Sequence, residues 1–319
     1  MQSIWMIVAA LLFSLMGVAV KLASAQYGTA EIVAYRGLVG VVVMGTLISV
    51  RARRSGTSVV DALRTRHLKM HLRRGISGTV SLTLWFFAIA GLPLATAMTI
   101  NYASPLFIGA WVAYSAWRLG ERIDRAMSAA LLAGFVGVVL LLQPSLTRDQ
   151  WLYALIGVVS TTLTAVAYLS VKALGRVGEP ETRIVFYFSV LNAVTGLAGT
   201  ALFGFHGHDL RGFSLLMTVG LTGALAQLAI TRAFGSGGTL LTANLGYTGI
   251  VFSSAWGYLV FGDTVGLDQA IGMGIIVAAG TVATLMTARA LRRAAATPDQ
   301  TVLSPRSNEG VDDASAGQR

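Results

Sequence analysis

Cysteine is absent and charge is scarce: none of the 319 residues is Cys, and only 12% are Asp, Glu, Lys or Arg. The first absence excludes disulfide frameworks, thiolate nucleophiles and Cys-ligated metals. The second excludes a water-soluble surface, because soluble domains carry about 25% charged residues. With 55% of residues hydrophobic and a mean hydropathy of +0.69, most of the chain must face lipid or other lipid-facing helices. Histidine is also rare, and His67, His71, His206 and His208 all fall in expected connections. His206 and His208 with Asp209 have ligand chemistry, but three polar residues on a short loop are usually just solvated, and no metal is expected. No Ser–His–Asp spacing and no paired carboxylates within an apolar run support an enzyme. The GSGG at 235–238 lacks a following Gly-Lys-Ser/Thr, so it is not a phosphate loop and no ATP-driven pump is encoded. No cofactor is expected.

What the chain does have is long apolar runs. A helix needs about 20 apolar residues to cross the hydrocarbon core. Ten segments qualify: 4–24, 32–50, 75–91, 94–117, 126–143, 151–171, 184–204, 213–231, 239–261 and 268–288. The first lacks a basic leader and a cleavage site, and reads as a retained span. Pro105, within the fourth, permits a kink. The polar segment after about Ala294 reads as a disordered tail.

The formal charge of +10 could mean nucleic-acid binding, but its distribution says otherwise. If the spans alternate, every Lys and Arg except Lys21, Arg36, Arg148 and Arg211 falls on one face, concentrated in loop 51–74. Basic short loops are cytoplasmic, so both termini are expected there, in a multi-pass protein of the inner membrane. Loop 51–74 could also lie along anionic headgroups or be plainly solvated.

The chain contains a loose internal repeat. Gly120-Glu121 and Gly262-Asp263 each follow the fourth span of a half. Lys21 precedes Glu31 much as Lys172 precedes Glu181, and Asn101 and Asn244 take matching places. Five spans per repeat is an odd number, so the second copy lies inverted in the bilayer, as in many secondary transporters. The expected fold is all-α: ten transmembrane helices in two inverted repeats, 1–144 and 145–292, followed by the tail 293–319.

Several stretches carry a family resemblance: AEIVAYRG at the second span, LWFFAIAGLPLATAMTINYASPLF across the third and fourth, and RLGERI before the fifth. In the second half they are TANLGYTGIVFSSAWGYLVFGD and GLDQAIGMGIIVAAG. In these the chain resembles the drug/metabolite transporter superfamily, in particular bacterial proteins with two tandem EamA domains. The resemblance implies a ten-helix metabolite carrier and leaves the cargo open.

Glu31 and Arg36 put two charges at the front of an otherwise uncharged span. Lys21, Glu31, Lys172 and Glu181 are candidates for gates, one carboxylate–base contact at each mouth. The alternative is that these charges anchor helix ends and snorkel to water. A guanidinium as deep as Arg36 requires a partner or a wet cavity. Asn101, Tyr102, Asn244, Tyr247 and Trp256, with Trp85 and Gln227 in support, are candidates for lining the route, and Arg36 hints at a carboxylate-bearing cargo. The competing reading for the polar residues is interhelical hydrogen bonding, and for Gly134, Gly137, Gly272 and Gly274 it is helix packing. The favoured function is alternating-access transport of a small neutral, zwitterionic or carboxylate-bearing metabolite. A channel-like or lipid-translocating protein is the alternative and an embedded enzyme a distant third. The expected partners are the metabolite and the bilayer, with a homodimer compatible and no nucleic acid.

Overall fold

A computed structural model describes residues 4–118, 125–142, 149–236 and 245–296, and no strand occurs among them. The helices are α1 (Ile4–Ala23), α2 (Thr29–Arg54), the short α3 (Val59–Leu63), α4 (Leu68–Gly91), α5 (Leu94–Tyr102) and α6 (Ser104–Arg118). They continue with α7 (Arg125–Leu142), α8 (Gln150–Arg176), α9 (Glu181–Phe203) and α10 (Leu210–Ser236). Last come α11 (Thr248–Trp256), extended by a π-helical turn over Gly257–Phe261, and α12 (Leu267–Ala296). Six segments are long and apolar enough to cross a membrane: Ile4–Ala23, Thr29–Arg54, Gln150–Arg176, Glu181–Phe203, Leu210–Ala233 and Leu267–Met286. Val42, Leu132, Val194 and Val251 point outward from the bundle, as side chains that meet lipid would. The protein is an all-helical, multi-pass membrane protein.

Local chemistry explains the boundaries. Pro93 and Pro180 stand just before α5 and α9, where a missing N–H leaves no helical carbonyl unpaired. Gly204 (φ 100°) ends α9 and Gly262 (φ 68°) ends the π turn, both in a left-handed region that strains other residues. In α2, Glu31 sits in the first turn and Arg51, Arg53 and Arg54 in the last, each sign at the favoured dipole end.

Three segments differ from the sequence expectation. Helix α4 begins at Leu68, so His71, Arg73 and Arg74 are helical rather than in the loop. The span expected over 94–117 is two helices that meet at Ala103, just before Pro105. The Ile100 carbonyl at that break accepts from the Thr161 hydroxyl of α8 at 2.9 Å, because lipid offers no water to do so. In the span expected over 239–261 a turn at Tyr247 precedes α11; Asn244 lies outside the described residues, as do Gly120 and Glu121.

Helix α2 packs on α9, α4 on α8, α7 on α12 and α1 on α10. The α2–α9 crossing is backbone on backbone. A Cβ on Gly37 would overlap the backbone of Ala193, and one on Gly196 would overlap that of Ala34. Rising numbers on one helix meet falling numbers on the other, so the two run antiparallel. At α7–α12, a Cβ on Gly272 would come 2.7 Å from the Leu141 nitrogen and one on Gly137 3.1 Å from the Gly272 carbonyl. Gly134 accommodates Leu106, whereas Gly274 faces open space and takes no part. Between α4 and α8 the Ser81 and Ser160 hydroxyls donate to each other's carbonyls at 2.9 and 2.8 Å. Small residues at close crossings drive association where lipid removes the hydrophobic incentive.

The α2–α9 crossing therefore has no room for a side chain. We expect Gly37→Val to destabilise the protein by about 1–3 kcal/mol, the usual cost of overpacking. Thermal unfolding in detergent checks this: Gly37→Val should melt clearly below the parent, and Gly274→Ala should match it.

Candidate functional site

Helices α1, α4, α5, α8, α9 and α10 surround a cavity of about 50 Å³. One water needs about 10–15 Å³ by the same kind of measure, so this conformation has room for a few waters and not for a metabolite. Residues Arg74, Gly78, Ser81 and Trp85 contribute one face of α4, spaced as a helix repeats. Helix α5 supplies Asn101 and Tyr102, α8 supplies Thr164 and Tyr168, α9 supplies Phe188 and α10 supplies Gln227.

Of the residues expected from sequence to line a route, Trp85, Asn101, Tyr102 and Gln227 meet at this cavity. Asn101 Oδ1 accepts from the Thr164 hydroxyl at 3.3 Å, at the helix break, where ordinary backbone pairing is interrupted. Trp256 packs half-buried against the main apolar cluster. Tyr247 is buried with its hydroxyl against Gly280 of α12. Arg36 is buried beside the cavity residue Phe188, its guanidinium 5.0 Å from the ring centroid.

Arg74 was not singled out by sequence reasoning, which assigned it to the basic loop. It is 3% exposed, its guanidinium lies 4.1 Å from the Phe188 centroid, and Nη2 donates to Gln227 Oε1 at 3.2 Å. The signal was present in the Arg74, Gly78, Ser81, Trp85 stripe, which keeps one helical face from a charge into an apolar span.

Each end of the bundle carries a buried carboxylate. At the end holding the α9–α10 connection, Glu31 Oε2 lies 2.8 Å from His206 Nδ1 and Oε1 lies 3.3 Å from His208 Nε2. The His208 ring stacks on Tyr27 at 5.3 Å, and Asp209 turns away to accept from the Gly212 N–H at the start of α10. Lys21, at the same end, donates to the Leu92 carbonyl at 2.6 Å, while Asp263 Oδ2 accepts from the Leu94 N–H at 3.2 Å. Two connections and α1 are tied together there.

At the opposite end the carboxylate with partners is Glu179, two residues before the expected Glu181. Its Oε1 accepts from the Thr65 hydroxyl, and its Oε2 lies 3.0 Å from Arg183 Nη1 and 3.4 Å from His71 Nε2. Arg183 Nε and the Tyr187 hydroxyl also donate to the carbonyls of Ala62 and Leu63. Lys172 and Glu181 make no hydrogen bond or ion pair among the described residues. Burial alone would raise the Glu179 carboxyl, but bonds from Thr65 and Arg183 and the Arg183 charge hold it below its ordinary value.

The structure thus places a small, polar, guanidinium-bearing cavity inside an apolar bundle, with polar ties at both ends. The model of the EamA-like transporter family matches residues 1–143. The pseudopaline exporter CntI of Pseudomonas aeruginosa is 33% identical over 273 residues, covering 85% of this chain and 92% of that protein. A riboflavin transporter of Rhizobium johnstonii is 31% identical over 173 residues, covering 54% of this chain and 56% of that one. A solved crystal structure is similar in fold, with a TM-score of 0.63 at 21% identity over 91% of this chain and 98% of that one. The chain belongs to the EamA-like transporter family, within the drug/metabolite transporter superfamily.

Because the folded pKa of Glu179 is lowered, its stabilising contribution is present above the ordinary carboxylate range and lost as pH falls through the lowered value. Glu179→Gln should therefore melt below the parent at neutral pH. The gap should close as the pH drops below about 4, which melting curves over a pH series check.

Proposed function

We propose that the protein is a secondary transporter that moves a small organic metabolite across the cytoplasmic membrane by alternating access between two inverted repeats, 1–144 and 145–292. The ten spans would be α1, α2, α4, α5 with α6, and α7, followed by α8, α9, α10, α11 with its π turn, and α12. The supporting observation is the pairing scheme. Exchanging the halves turns the α1–α10 contact into the α8–α4 contact, and it maps α2–α9, α5–α11 and α7–α12 onto themselves. A two-fold axis in the membrane plane would produce that pattern, and on such an axis the two conformations of a carrier differ only in which end is open.

The gates on this reading are the two carboxylate clusters, Glu31 with His206 and His208, and Glu179 with His71, Thr65 and Arg183. They too exchange with the halves. Each joins the start of one half's second span to the segment that follows the other half's second span, Glu31 to the α9–α10 loop and Glu179 to the stretch from α2 into the start of α4. With the arginine-rich α2–α4 segment cytoplasmic, Glu31 guards the outer mouth and Glu179 the inner one. Lys21 supports the outer gate through Leu92. The cavity lies between the gates, and its aromatic rings, hydroxyls and amides suit an organic solute better than a bare ion. One relative named as an exporter and one named as a riboflavin transporter support metabolite cargo and leave the direction open.

The cysteine-free chain makes the test clean. Ala167 is a small, buried cavity residue, so Ala167→Cys should fold normally. In oriented proteoliposomes an impermeant maleimide should label it from either face, and an outer cross-link between residues 31 and 206 should abolish labelling from outside only. Labelling from neither face, or unaltered outside labelling after the cross-link, would contradict alternating access.

A further inference from the structure

The interior of this bundle holds two positive charges and, among the described residues, no carboxylate that meets them. Arg36 of α2 and Arg74 of α4 are 2% and 3% exposed, and both guanidinium groups pack on the Phe188 ring of α9, at 5.0 and 4.1 Å. Every ion pair among the described residues involves Glu31 or Glu179 at the bundle ends, and neither reaches these arginines. Nε and Nη2 of Arg36 and Nε and Nη1 of Arg74 have no hydrogen-bond partner among the described residues. The Trp85 Nε1 and the Tyr102 hydroxyl on the same cavity wall are also without one.

Such an arrangement is costly on its own. A buried charge is tolerated when a partner neutralises it, and the ring face of Phe188 contributes only weakly to that. On Arg36, Arg74, Trp85 and Tyr102 the unsatisfied groups are chemically of one kind: apart from the hydroxyl, all are N–H donors, and two of the side chains carry a full positive charge. Guanidinium forks fit the two oxygens of a carboxylate through paired, charge-assisted hydrogen bonds.

We propose that Arg36 and Arg74, both packed on the Phe188 ring, form an anion subsite that receives a carboxylate of the cargo. The proposal rests on the transporter reading of the cavity and adds the chemical class of what it carries. Gln227 holds Arg74 in place by accepting from Nη2, and it leaves the remaining N–H groups of that guanidinium for the ligand. Trp85 and Tyr102 supply two further donors for a second oxygen or a neighbouring acceptor. When the carboxylate binds, the cost of the two buried charges is offset, so a loaded carrier is more stable than an empty one. Phosphate is the other oxyanion that a guanidinium pair would attract, and the test separates the two.

The experiment is thermal unfolding of the 319-residue chain in detergent, titrated with glutarate or citrate, with the uncharged glutaramide, and with inorganic phosphate. The carboxylates should raise the melting temperature saturably and glutaramide should not. Arg36→Met and Arg74→Met should each bind the carboxylate about tenfold more weakly or worse, as expected for a lost charge-assisted bond. Without ligand, Arg36→Met should melt at or above the parent, because it removes an unpartnered buried charge. Arg36→Lys and Arg74→Lys keep the charge without the fork, and should retain a weakened shift. Equal stabilisation by glutaramide, a response to phosphate alone, no carboxylate shift, or an undiminished shift in the Met variants would each overturn the subsite. So would ligand-free destabilisation of both Met variants together with unaltered carboxylate binding in the Lys variants, since that is how structural arginines behave. Binding is read here without transport. A failed titration with intact two-sided labelling of Ala167→Cys removes only the anion subsite, and failed labelling with intact binding removes only the alternating mechanism.

Discussion

The backbone contact between α2 and α9 is the constraint on which the other features depend. Gly37 against Ala193 and Gly196 against Ala34 bring the two helices closer than side chains allow, and the crossing is antiparallel. Helix α2 carries Glu31 and Arg36, and α9 carries Phe188 with Glu179 just before its first residue and Arg183 in its first turn. One helix pair thus positions an acidic cluster at each end and half of the charged cavity between them. If the crossing loosened, both carboxylate clusters and the two arginines would lose their registration together.

Lipid imposes a second constraint. With no water in the hydrocarbon region, each backbone or side-chain polar group needs a protein partner or a cavity. The Ile100 carbonyl at the helix break accepts from both the Ala103 N–H and the Thr161 hydroxyl, and Ser81 and Ser160 pair reciprocally. Against that background of local satisfaction the unpartnered donors of Arg36, Arg74, Trp85 and Tyr102 are informative. Tyr27, Thr79, Asn192 and Tyr247 also keep a buried polar atom without a partner among the described residues, but only Arg36 and Arg74 among these residues carry a full charge, and Arg74, Trp85 and Tyr102 line the same cavity.

Much of this was legible in the sequence because hydropathy and charge scarcity act over whole segments. The helical membrane class follows from run lengths, and an irregularity near Pro105 from proline chemistry, although the sequence pointed to one kinked span where the structure has two helices. Trp85, Asn101, Tyr102 and Gln227, named for their polar or aromatic character within apolar runs, lie around one cavity. The misread residues were those whose setting is tertiary. Arg74 belongs by composition to an arginine-rich loop, and only the earlier start of α4 carries it inside. Glu181 had the spacing of a gate, yet Glu179 has the contacts, because the α2–α4 segment returns Thr65 and His71 over the α8–α9 turn. His206 and His208 looked solvated on a short loop, and they are instead folded onto Glu31. Spacing along one strand of chain cannot report a partner that arrives from 175 residues away in the sequence.

The central claim is that the two ends open in alternation. Nitroxide pairs at Gln26 and Gly207, and at Arg64 and Val177, report the width of each end by pulsed electron resonance in lipid. The account predicts that Glu31→Gln lengthens the first distance and leaves the second short, and that Glu179→Gln does the reverse. If either substitution widened both ends together, or neither, the two-gate exchange would be wrong.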